Sequence, residues 1–152
     1  MKKLLLLLIL PLGMMAQTKG NFAYSGRLSD SYITIKHTDR DLFLATHDVA
    51  KHFGIKARIV VYKLHKTYPY DAQVLQVDDN EFHIYIKPMP FYEKALVHEF
   101  IHIQQMIDGD LKVQGNKYFW KGHWHEGIKY KCRHHEKDAY KRARKHRRVT
   151  NL

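Results

Sequence analysis

"LVHEFIHIQQ" (Leu96–Gln105) places two histidines and a glutamate inside a run otherwise built of buriable side chains. Around it, Ala95, Leu96, Val97, Phe100, Ile101, Ile103, Met106 and Ile107 leave almost no polar face, the pattern of a helix covered on most sides. Pro88 and Pro90 precede the run and Gly109 follows it, so the predicted helix extends from about Phe91 to Asp108. A polar side chain buried there without a partner costs on the order of a few kcal/mol. His98, Glu99 and His102 therefore need a common purpose. His98 and His102 are one helical turn apart, so both imidazoles project from one side and can grip one ion. Glu99 lies beside that ion without having to bind it, and can take a proton from a water the ion activates. This is the H-E-x-x-H pattern, two nitrogen ligands and a general base.

Working outward from that helix, "AQVLQVDDNEFHIYIKP" (72–88) reads as a hairpin turning at Asp79-Asn80. "ARIVVYKL" (57–64) is a buried aliphatic strand, and "SYITIKH" (31–37) a short alternating one. "DLFLATHDVAKHFG" (41–54) has helical spacing, with Asp39 as its cap and Gly54 as its stop. Residues 17–30, rich in Gly, Ser and Asn, read as a loop or arm. Beyond the central helix, "LKVQGNKYFWKG" (111–122) is a small hairpin turning at Gly115-Asn116, and "KGHWHEGIKY" (121–130) a loop. A last helix runs from about His134 to Arg147. The order predicts an α+β domain: a small, mostly antiparallel sheet packed against the H-E-x-x-H helix and a C-terminal helix.

The chain has 152 residues, room for one domain. Its opening, "MKKLLLLLILPLGMMAQ" (1–17), has two lysines, a short apolar run and small residues, the layout of a secretory signal peptide. The expected division is a signal peptide at 1–16 and a single exported domain, periplasmic or secreted, at 17–152. The apolar run, Leu4 to Leu12, is too short for a stable transmembrane anchor. Cys132 is the only cysteine, so an internal disulfide is excluded and stability rests on packing or a bound metal. Cys132 itself reads as a partly buried bystander. Most of the net charge of +11 sits in Lys129–Arg148, which has ten Lys or Arg against Glu136 and Asp138. That segment reads as a solvated helix face or as a contact to an anionic surface. A nucleic-acid partner is disfavoured, because the export signal and the lack of interleaved stacking residues both argue against it.

Two histidines do not complete a catalytic zinc site, which takes three protein ligands and leaves a position open. In "HHEKDAYKRA" (134–143), Glu136 shares a helix stripe with Ala139, Tyr140 and Ala143, so it points inward while the Lys and Arg residues point out. Asp138 lies about 200° round the helix from Glu136, on the other, solvated side. The alternative for Glu136 is a residue that only caps the helix start.

H-E-x-x-H followed by a helix bearing E-x-x-A resembles the gluzincin branch of zinc metallopeptidases, in particular small exported bacterial zincin-like domains. The matching residues are His98, Glu99 and His102 in the first motif, and Glu136 with Ala139 in the second. The resemblance covers about residues 81–143 and implies Zn2+ on His98, His102 and Glu136, with Glu99 as catalytic base. Tyr140 follows Ala139 where the pattern would have an aspartate, so no residue is assigned to support the histidines from behind. In such enzymes the strand before the active-site helix forms the sheet edge along which a peptide or protein substrate lies; "EFHIYIK" (81–87) occupies that place. An oxyanion donor is also required. His123, His125 and Tyr130 fall between the motifs, and His125 or Tyr130 is the expected donor, with Trp120 and Trp124 available to wall a pocket. The expected activity is zinc-dependent peptide hydrolysis. The competing expectations are a zincin-like domain that binds metal without turnover, and a polyanion-binding exported protein whose H-E-x-x-H is accidental.

Overall fold

In a computed structural model, which describes residues 24–28, 31–35 and 39–146, the first helix, α1 (Arg40–Phe53), starts at Asp39 and stops at Gly54. The signal peptide expected at 1–16 lies outside the described residues, and no helix among those described is long and apolar enough to cross a membrane. Asp39 accepts from the Leu42 N–H at 2.9 Å, satisfying one orphan donor of the first turn. Gly54 closes α1 in the left-handed region (φ 60°), with its N–H returned to Ala50 and Lys51. Leu42, Ala45, Thr46, Val49 and Ala50 form the buried face, and the Thr46 hydroxyl is satisfied by donating to the Leu42 carbonyl.

Asp39 does more than cap. Its other oxygen takes Lys63 Nζ at 2.6 Å and the Tyr92 hydroxyl at 2.8 Å, tying together α1, strand β3 (Arg58–Lys63) and the residue that opens helix α2 (Glu93–Ile107). Burial pushes the Asp39 carboxyl up, but the bonds from Lys63, Leu42 and Tyr92 outweigh it and hold the group below its ordinary value. A depressed carboxylate stabilises the fold above its unfolded pKa, near 4, and that contribution disappears as pH falls through the folded value. Asp39→Ala should therefore cost about 2–4 kcal/mol at pH 7. Urea denaturation of both proteins should show the gap narrowing below about pH 4. An equal gap at pH 7 and pH 3 would show that Asp39 does not act through its charge.

The main sheet has five strands in the order β1 (Tyr24–Leu28), β2 (Ser31–Ile35), β3, β5 (Glu81–Ile86), β4 (Ala72–Asp78). β1 corrects the expectation of a loop over 17–30, since residues 24–28 pair antiparallel with β2. The sheet is evenly mixed rather than mostly antiparallel: β1–β2 and β4–β5 are antiparallel, β2–β3 and β3–β5 parallel. The cause is α1, which carries the chain from β2 back to the same end of the sheet and so forces β3 parallel to it. The hairpin at Asp79-Asn80 forms as expected, but β5 enters beside β3 and leaves β4 outside.

β5 alternates strictly, with Phe82, Ile84 and Ile86 buried. Those side chains join Ile59, Val61, Leu42, Val49, Leu96, Phe100, Ile101 and Ile103 in one core between the sheet and helices α1 and α2. His83 and Tyr85 take the opposite face, where Tyr85 stacks on Tyr62 at 5.0 Å. α2 is buried nearly all round, as its composition predicts. Helix α3 (His134–His146) adds Ala139 and Ala143 to the same core, and their small side chains let its backbone come close.

A second sheet, β6 (Leu111–Gln114), β7 (Lys117–Trp120) and β8 (His123–Glu126), lies between α2 and α3 in sequence. Its first turn is the expected Gly115-Asn116. β8 corrects the expected loop at 121–130. Lys121 (φ 44°) and Gly122 (φ 96°) form a two-residue turn with both φ positive, the geometry that matches strand twist. Lysine rarely takes that conformation, so the pair carried no turn signal. β7 sends Tyr118 inward, fully buried, where its hydroxyl meets His134 Nδ1 at 3.1 Å and its ring packs on His135 at 4.6 Å. A 3-10 turn at Tyr130–Cys132 then leads into α3. Cys132 is exposed, not partly buried as expected.

Candidate metal centre

His98 and His102 leave α2 on the side facing α3, and Glu136, in the first turn of α3, comes to meet them. His98 Nε2 lies 3.1 Å from His102 Nε2 and 3.2 Å from Glu136 Oε2, and His102 Nε2 lies 3.5 Å from Glu136 Oε1. Ligand atoms at about 2.0–2.2 Å from a tetrahedral ion are themselves about 3.3 Å apart, so the three donors have the spacing of one face of such a site. His102 and Glu136 are buried and His98 is partly so. Two imidazole nitrogens and one carboxylate, with a side left open, fit zinc by donor chemistry.

The charges agree with this geometry. Burial alone would raise the Glu136 carboxyl, but hydrogen bonds from His102 and His98 hold it far below the ordinary carboxylate range. Burial would lower His102, yet Glu136 and Glu99 raise it. Glu99 is buried, and that burial raises its carboxyl despite the two histidines and a backbone bond from Val74. Glu99 thus sits against β4, inside the same cavity as Glu136 and close enough to feel its charge.

Of the two expected oxyanion donors, only Tyr130 reaches the site. The residue is two-fifths exposed, yet burial, with the adjacent Glu136 carboxylate, raises its pKa well above that of a free tyrosine. His125 does not approach. It is held on β8, stacked on Tyr118 at 5.0 Å and beside His134 at 4.7 Å, and does not line the cavity. Its assignment as a donor is corrected for that reason: once 123–126 pair as a strand, alternation fixes where the ring points. Trp124 is half exposed, and its ring contact is with Phe119. Tyr140, expected to point inward with Ala139 and Ala143, is 53% exposed, but its ring covers His98 at 4.6 Å.

Three residues carry roles that sequence reasoning missed. His135 is 4% exposed, its Nε2 lies 3.5 Å from Glu136 Oε1 and its Nδ1 has no partner. Burial, with His102 nearby, pushes it down to about 4, so it is neutral at pH 7. Gln105 is fully buried and bonds His102 on one side and Asp138 on the other. Asp138 is therefore not on a solvated face. It takes Gln105 Nε2 at 2.8 Å because the long Gln105 side chain, one turn beyond His102, spans the gap between the two helices. The signal for Gln105 was present: it is a polar side chain in the otherwise apolar run from Ala95 to Ile107.

The cluster opens into a cleft of about 1400 Å³ bounded by β4, the second half of α2, β6 and the start of α3. β4 is the outer strand of the main sheet, with β5 inside it. The expectation that 81–87 forms the edge beside the site is thus corrected. The hairpin order alone could not show it, because either strand of a hairpin can face outward. No protein-family model, no curated protein and no solved structure matches this chain.

Proposed function

We propose that this chain is a zinc-dependent metallopeptidase of zincin-like design. The observation that supports the reading best is the meeting of His98, His102 and Glu136 within 4.8 Å, in a cleft that also holds a buried glutamate. His98, His102 and Glu136 would hold the ion, which would supply Lewis acidity for a carbonyl and activate water near neutral pH. Glu99 accepts the proton of the attacking water and passes it to the leaving amine. Its bond from the Val74 backbone anchors that carboxylate on the β4 side of the cleft. An extended peptide pairs with the outer edge of β4, which has no partner strand among the described residues and borders the cleft. The Tyr130 hydroxyl, protonated at all physiological pH values, donates to the developing oxyanion.

The opening stretch 1–16 supports an exported protein, and the exposed Lys137, Lys141, Arg144 and Lys145 of α3 favour an anionic surface beside the cleft. The testing experiment is metal analysis of the purified domain with a casein assay. The expected result is one zinc per chain and hydrolysis abolished by a chelator. Protein that binds no zinc even after its addition would sink the proposal. Zinc binding without any hydrolysis would instead favour a binding module.

A further inference from the structure

His102 faces the cluster with Nε2, and its other ring nitrogen, Nδ1, lies 2.8 Å from Gln105 Oε1. At the far end of the same amide, Nε2 lies 2.8 Å from Asp138 Oδ2 and 3.3 Å from the His135 carbonyl. Asp138 in turn pairs with Arg142 at 3.6 Å, one turn along α3. An ionised carboxylate and a carbonyl can only accept. The amide end facing them must therefore be the NH2 group, whichever way the atoms are labelled. The opposite end is then the oxygen, which can only accept, so His102 Nδ1 must carry a proton. With Nδ1 protonated, the one ring nitrogen left to give a lone pair to a metal is Nε2, which faces His98 and Glu136.

We infer that Gln105, locked by Asp138, is a positioning residue that holds His102 in the one tautomer and ring orientation able to bind a metal. The inference rests on the metal site proposed above. In metal sites a histidine ligand is commonly oriented by a carboxylate or backbone carbonyl at its second nitrogen. Here the carboxylate stands one amide farther away, and the amide transmits the orientation because its two ends differ. The arrangement also links the two ligand-bearing helices through a buried bond, Gln105 on α2 to Asp138 on α3, two residues from Glu136. The relay thus sets His102 and Glu136 against each other.

The test compares Zn2+ affinity, by competition with a chromophoric chelator, in wild type, Gln105→Met and Asp138→Ala. Gln105→Met keeps the buried volume and removes all three bonds of the amide. It should weaken Zn2+ binding by about 10–100-fold and shift the visible spectrum of the cobalt-loaded protein, as the ring reorients. Asp138→Ala, at a half-buried position, leaves the amide only the His135 carbonyl and should weaken binding by about tenfold, the lower end of that range. It carries the test if Gln105→Met does not fold. A purely structural role would lower the melting temperature of the metal-free variants and leave affinity and spectrum unchanged, and that outcome overturns the inference. If wild type itself binds no Zn2+, the metal site is at fault. If wild type binds and the folded variants match it, only the relay is wrong.

Discussion

Glu99→Gln is expected to keep its zinc and lose peptide hydrolysis by about 10²–10⁴-fold, the range that removal of a general base produces. The substitution conserves size and polarity at a side chain that is 5% exposed, so the cleft should keep its shape. The amide oxygen can still take the Val74 backbone bond that the carboxylate takes now. What the amide cannot do is accept and hold a proton. The proposed metal ligands, His98, His102 and Glu136, are untouched, and zinc content measured alongside activity separates the two roles. Hydrolysis that survives in the zinc-loaded variant would remove Glu99 from the mechanism.

The second large effect is at Glu136. Its carboxylate is buried, 4% exposed, and faces both imidazoles at 3.2 and 3.5 Å. Glu136→Gln replaces an anionic ligand with a neutral one, so Zn2+ affinity should fall by more than the roughly 10–100-fold typical of losing a supporting group. The consequence reaches stability. With Zn2+ at 100 times the wild-type Kd, binding stabilises the wild-type fold by about 2.7 kcal/mol, and a variant bound 100-fold more weakly gains only about 0.4 kcal/mol. Thermal denaturation with and without Zn2+ should show a large metal-dependent rise in Tm for wild type and almost none for Glu136→Gln. A variant that gains as much from Zn2+ as wild type would show that Glu136 is not a ligand.

Much of this arrangement was legible because it depends on local geometry. The 3.6-residue period alone sets His98 and His102 on one side of α2, and the same period sends Glu136 inward with Ala139. Asp39 and Gly54 end α1 as their chemistry requires, and both predicted hairpin turns, at Asp79-Asn80 and Gly115-Asn116, form. Each of these is decided within a few residues of chain.

The tertiary structure decided the rest. Which strand borders the cleft depends on whether β4 or β5 pairs with β3, a contact between segments some twenty residues apart that hydrophobic alternation leaves open. Whether Tyr130 or His125 meets the cluster depends on β8 forming through an unusual turn at Lys121-Gly122. Asp138, on the solvated side by helical wheel, is drawn into the site because a wheel describes one helix and cannot see Gln105 reaching across from another. Local periodicity fixes direction relative to a segment's own axis; only packing fixes what lies in that direction.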